Sequence, residues 1–197
     1  MRISILLAFL GNLSAFVLLI LVTFSVPVID DLYFLHSSVF GGTRFGVLGY
    51  CIESARLECT SLRIGYRFEP ELYYPLPRVL VLFPVAAGFA GTSALLLLPS
   101  FFPQYGDQKP PILYDISASA SFFSSTAAFA VAMWLFARAM RDFHDEGFTA
   151  SFGPSIWMSL AAMVVTLFVA LHALLGTCMS MRSRYARRKP TNLPGIY

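Results

Sequence analysis

The sequence predicts an all-α transmembrane four-helix bundle with a small disulfide-stapled extracellular β-sheet. Three observations carry that prediction. Only 13% of the 197 residues are charged and 57% are hydrophobic, with a mean hydropathy of +0.68, whereas soluble domains carry roughly 25% charged residues. The apolar surplus is concentrated in four segments, residues 3–26, 79–102, 116–137 and 156–181, and none of them contains Asp, Glu, Lys or Arg. Two of the 3 cysteines, Cys51 and Cys59, share the long polar loop of residues 27–78.

The shortest of these segments has 22 residues. At about 1.5 Å per residue it still exceeds the roughly 30 Å hydrocarbon core of a bilayer. Lipid offers no partner to backbone amides, so each segment must pair its own and read as a helix. The chain is therefore expected to be a single four-span membrane domain. The first segment has a second reading as a cleaved signal peptide. Against it, the apolar run is longer than the usual core of about 7–15 residues and no A-x-A site follows.

Within the loop, "VFGGTRFGVLGYCI" sets Gly41-Gly42 between two apolar, β-leaning runs, a hairpin signal. "CTSLRIGYRF" continues in the same style, and the proline-marked "EPELYYPLPR" returns the chain to the membrane. The expectation is an antiparallel sheet of three or four strands. Such a sheet is marginal alone. A Cys51–Cys59 bridge closes about nine residues and adds on the order of 2.5 kcal/mol by the chain-entropy relation. The other reading of the pair is two unpaired, buried thiols.

The connector "PQYGDQKPP" is short, so the second and third helices should be antiparallel neighbours. In the third, Ser117, Ser121, Ser124, Ala128 and Ala132 recur at steps of three and four, forming one small-residue face. Gly11-x-x-x-Ala15 and Ala87-x-x-x-Gly91 are similar small pairs in the first and second helices. Small faces let helices approach closely in lipid; this one suits packing inside the bundle or docking of another membrane protein. The connector "RAMRDFHDEGFTASFGP" carries both charge signs and reads as a solvated loop.

Two polar side chains, Asn12 in the first helix and His172 in the last, each lie ten residues from an arginine, Arg2 and Arg182. That spacing puts both roughly 15 Å into the membrane, where they are expected to hydrogen-bond to each other. Cys178, close to the end of the last segment, is a palmitoylation candidate or a buried apolar thiol. The basic tail of residues 182–197 holds Arg182, Arg184, Arg187, Arg188 and Lys189, a cluster that attracts anionic lipid.

Positive charge orients the bundle. Seven Lys and Arg fall on each side, so the count is a tie. The tail cluster, however, abuts a span, while most arginines of the first loop lie far from one. Both termini are therefore expected in the cytosol. Disulfides persist in oxidising compartments, which agrees with the cysteine pair lying outside.

Known reaction motifs are missing: there is no HExxH, GxSxG, P-loop or CxxC. His144-Asp145-Glu146 reads as polar surface rather than a metal site. No span carries a coupling carboxylate. No catalytic residue, cofactor, metal or nucleic-acid partner is expected.

Four spans, a long first loop and "FGVLGYC" followed by a second cysteine resemble the claudin-like superfamily. The usual G-L-W-x-x-C pattern is altered here: no tryptophan precedes Cys51, and the cysteines are eight apart. The motif residues Phe45, Gly46, Gly49, Tyr50, Gly65 and Tyr66 look closer to the fungal Sur/PalI family. That resemblance implies a non-enzymatic plasma-membrane protein: a PalI-type helper of a seven-span receptor in ambient pH signalling, or a Sur-type organiser of membrane domains. PalI members often carry a long cytosolic tail, and only 16 residues follow Met181. Expected partners are other membrane proteins, a seven-span receptor or further copies of this chain. The alternative is a claudin-like adhesion or paracellular-type channel protein. The first loop sets five arginines against six acids, without the single-sign stripe an ion path needs.

Overall fold

A computed structural model of the chain describes residues 2–53, 57–60, 76–101 and 112–187. Its helices are α1 (Arg2–Thr23), α2 (Leu82–Leu97), α3 (Ile112–Asp145) and α4 (Pro154–Arg187). Short 3₁₀ turns extend α2 at both ends, and the stretches long and apolar enough to cross a membrane are Ile3–Thr23, Val79–Phe101, Ile112–Asp145 and Pro154–Thr177. The helices contact one another as a ring, α1 with α2, α2 with α3, α3 with α4, and α4 back to α1. Ala15, Leu19 and Val22 of α1 are buried in that ring, so the first segment is an integral helix of the bundle.

Between α1 and α2 lie β1 (Leu35–Ser37), β2 (Thr43–Phe45), β3 (Tyr50–Glu53) and β4 (Leu57–Cys59). A fifth strand, β5 (Ala150–Phe152), comes from the connector between α3 and α4. The sheet is antiparallel with order β4-β3-β2-β1-β5. Gly41 (φ 89°) and Gly42 (φ 136°) turn the chain between β1 and β2, where an L side chain is disfavoured. Among the described residues the first loop supplies four strands, within the expected three or four, and the second connector adds a fifth that was not expected. The sheet draws on both connectors at this end of the bundle.

The connector 138–154, expected as a solvated loop, is corrected. Helix α3 continues through Asp145, and Ala139 and Phe143 extend the buried stripe of Leu135 and Phe136. Its 34 residues measure about 51 Å, well beyond a hydrocarbon core of roughly 30 Å. Ser125 Oγ lies 3.0 Å from Thr166 Oγ1, and Thr177 donates to Asp115. These contacts fix the antiparallel register of α3 and α4 and bring Trp134 to the level of Trp157. Both indoles are exposed, at 59% and 67%, as tryptophans at a membrane interface are. From Asp115 to Trp134 is about 28 Å along the helix, close to one bilayer core. The end of α3 beyond Trp134 therefore stands clear of the lipid and carries the sheet.

What joins sheet to bundle is aromatic. Phe34 stacks on Phe136 with centroids 5.2 Å apart and leans on Phe83 at 5.8 Å, while Phe45 meets Phe143 at 6.0 Å. Leu35 and Phe45 on one face of the sheet are buried, whereas His36 and Arg44 alternate to the other face. A four-span, claudin-like fold results.

Candidate recognition face and intramembrane contacts

The sheet register places one row of side chains across the face turned away from the bundle. Ser151 of β5 is opposite His36, His36 opposite Arg44, Arg44 opposite Cys51, and Cys51 opposite Cys59. Cys51 and Cys59 are disulfide-bonded, with Cα atoms 4.1 Å apart. Arg44 is the hub of the row. Its Nε lies 2.5 Å from Glu53 Oε1 and its Nη1 4.0 Å from Asp31 Oδ1. The same Nη1 donates to the Asp30 carbonyl at 3.0 Å, and the guanidinium sits 5.4 Å from the Tyr33 ring centroid. His36 Nε2 lies 3.9 Å from the other Glu53 oxygen. These groups are half-buried to exposed, so they form a structured polar surface rather than a closed catalytic pocket.

The bridge is expected to stabilise this face. Cys51→Ser should lower stability by about 2.5 kcal/mol through the larger unfolded ensemble. Thermal unfolding with and without reductant checks it: the variant should match the reduced wild type, and equal midpoints for variant and oxidised wild type would refute the effect.

The motif residues anchor the sheet at the exit of α1. Phe45 is buried. Gly46 N–H donates to the Gly49 carbonyl at 2.9 Å, and Val47 N–H donates to Ser25 Oγ at 3.1 Å. A Cβ on Gly46 would stand 2.1 Å from the Val26 carbonyl oxygen, and one on Gly49 would stand 2.5 Å from Thr60 Oγ1. Tyr50 N–H donates to Thr60 Oγ1 at 3.0 Å. The glycines are there for close backbone approach. Gly65 and Tyr66 lie outside the described residues.

The intramembrane pair predicted from the sequence is not formed. Asn12 is buried against α2, where Ser93 donates to its Oδ1, and its Nδ2 donates to the Ala8 carbonyl at 2.9 Å. The Tyr114 hydroxyl is buried beside it. His172 instead faces outward and shares a hydrogen bond of 2.6 Å with Ser4. Ser4 and Asn12 are eight residues apart, about 12 Å along the helix and roughly a quarter turn around it. They therefore address different neighbours. Ser4 is also only two residues from Arg2, so His172 lies nearer the membrane edge than its distance from Arg182 implied.

The small face of α3 is committed within the chain. Ser117, Ser121 and Ser124 donate to the carbonyls of Phe89, Ala86 and Leu82 on α2 at 2.9, 3.1 and 3.1 Å. Ala128 and Ala132 are buried in the same core. Docking of another protein on this face is thereby overturned. The small side chains let α3 approach until its hydroxyls reach the backbone of α2. The third charge-free segment starts at residue 116, just after Asp115, whereas the helix starts at Ile112 and includes it. The side chains of Cys178, Arg182, Arg184 and Arg187 lie outside the described residues, as do Arg188 and Lys189. The helical backbone of α4 nevertheless runs six residues past Met181.

No curated protein matches the chain. The family model for the SUR7/PalI family matches residues 71–169. This stretch is half of the chain, running from the approach to α2 into α4, and it lies beyond the cysteine motif that ends at Tyr66. Two separate parts of the sequence thus point the same way. The chain is a multi-pass membrane protein and belongs to the SUR7/PalI family.

Proposed function

We propose that this protein is a non-enzymatic scaffold or accessory subunit of the plasma membrane, with both termini cytosolic and the sheet outside. It binds partner membrane proteins through the outward row centred on Arg44. The observation that carries this reading is the contrast between the two surfaces. The small, hydrogen-bonding face of α3 is used up inside the bundle, whereas the polar side chains of the sheet row, His36, Arg44 and Glu53, are only half-buried. Arginine beside an aromatic ring is a recurrent interaction anchor. The basic segment from Arg182 to Lys189 adds attraction to anionic lipid on the opposite side.

Proximity labelling in intact cells, followed by co-purification in mild detergent, tests the reading. Arg44→Glu is expected to reduce recovery of the labelled partner at least about ten-fold, the weight of one hot-spot arginine, with surface delivery retained. A scaffold works mole for mole, so the phenotype should fall in proportion to expression. Full activity at a few per cent of normal abundance would indicate turnover and defeat the proposal.

A further inference from the structure

The Cys51–Cys59 bridge lies against a carboxylate. A carboxylate oxygen of Asp30 and the two sulfur atoms all lie within 4.8 Å of one another. With the sulfurs bonded to each other, neither is the thiolate a metal needs, which leaves the bridge itself as what the carboxylate faces. Cys51 is only 1% exposed, while Cys59 is open to solvent. An external thiolate therefore reaches Sγ of Cys59, forms a mixed disulfide there and expels Cys51 as a thiolate, which takes a proton from water. A second thiolate attacks the external sulfur of that mixed disulfide. It releases Cys59, also protonated by water, and leaves the reductant as its own disulfide.

The leaving Cys51 sulfur is negative and stands beside Asp30, and an attacking thiolate brings its negative charge to Cys59 Sγ, which lies within the same 4.8 Å. Arg44, opposite Cys51 in the sheet register, offers little relief. Arg44 is held by Glu53 at 2.5 Å and Asp31 at 4.0 Å, so among the described residues this end of the row sets one guanidinium against three carboxylates. We propose that Asp30 is an electrostatic guard of the bridge: it slows thiol–disulfide exchange at Cys59 and selects against thiols carrying further negative charge. The bridge would then persist against anionic thiols of the glutathione type while remaining open to neutral or cationic ones.

The test uses the full chain in uncharged detergent and three small thiols: mercaptoethanesulfonate, 2-mercaptoethanol and cysteamine. Rates are read by alkylation and peptide mass at Cys51 and Cys59 and normalised to each reagent's thiolate concentration. At low salt the wild type should react in the order cysteamine, mercaptoethanol, mercaptoethanesulfonate. Asp30→Asn should shrink the cysteamine-to-sulfonate ratio about five-fold, the weight of unit charges several ångströms apart in water. In wild type, salt near 1 M should collapse the same ratio as the screening length falls to about 3 Å. A ratio unchanged by Asp30→Asn, or equal acceleration with all three reagents, would show loosening of the fold alone and overturn the guard. The wild-type salt series decides independently of the variant: equal rates with the three thiolates at low salt also overturn it.

Discussion

Replacing Gly46 by alanine is expected to abolish accumulation of the folded protein. The added Cβ would stand 2.1 Å from the Val26 carbonyl oxygen and 2.9 Å from both the carbonyl carbon and the Cβ of Val26. The obstacle is backbone, which cannot rotate away as a flexible side chain would. Relief requires the β2–β3 turn to lift from the end of α1. That movement would break the bond from Val47 N–H to Ser25 Oγ and open the aromatic layer around Phe45. Overpacking of this kind costs about 3 kcal/mol or more, a large fraction of the stability of an ordinary domain. Gly88→Ala is the control, because a Cβ there meets nothing within 4 Å. Size-exclusion profiles of fluorescent fusions in mild detergent separate the outcomes. A monodisperse Gly46→Ala protein with wild-type thermal stability would contradict the close approach.

Ser121→Leu should be the next most damaging change. Ser121 is buried on the face of α3 that meets α2, and its hydroxyl reaches the Ala86 carbonyl. A leucine cannot fit between two alanine-lined helices without separating them. The expected loss is about 2–4 kcal/mol, from overpacking and a missing interhelical hydrogen bond. Ser121→Ala removes only the hydrogen bond and should cost roughly 0.6 kcal/mol. The difference between the two variants therefore isolates packing. It is measured as a shift in thermal unfolding in detergent, with lipid-facing Phe123→Leu as a neutral reference. Equal midpoints for the leucine and alanine variants would mean that α2 and α3 are not closely packed at this level.

The serine face illustrates how far a one-dimensional pattern reaches. Its spacing placed Ser117, Ser121 and Ser124 on one side of a helix, because side chains three and four apart share a face. Periodicity does not say which neighbour that face meets; the carbonyls of α2 answer that. Asn12 and His172 failed for a related reason. Counting residues from a charge estimates depth, but helix rotation and tilt are set by packing across all four helices, and these turned Asn12 to Ser93 and His172 to Ser4. The end of α3 was legible in principle. Phe136, Ala139 and Phe143 keep a helical period, yet Arg138, Arg141 and Asp142 drew attention to solvent. Only the solvation in that reading holds: residues 138–145 form a helix with one buried face, not a loop.

Apolar run length alone determined that this chain crosses the membrane four times, because an unpaired backbone cannot remain in lipid and a helix of a given length spans a given thickness. Confinement of two cysteines to one polar loop, at hairpin distance, was enough to expect their pairing. The joining of β5 to a sheet begun more than a hundred residues earlier was decided only by tertiary structure. A three-residue strand has too little local signal to declare itself. It exists because α3 carries it to the edge of β1, and because Gly153 lets the backbone pass where a Cβ would stand 2.1 Å from the Tyr33 carbonyl oxygen. The position of Asp30 beside the bridge was decided the same way. It lies twenty-one positions before Cys51, and only the packing of the sheet against the end of α1 brings the carboxylate to the sulfur.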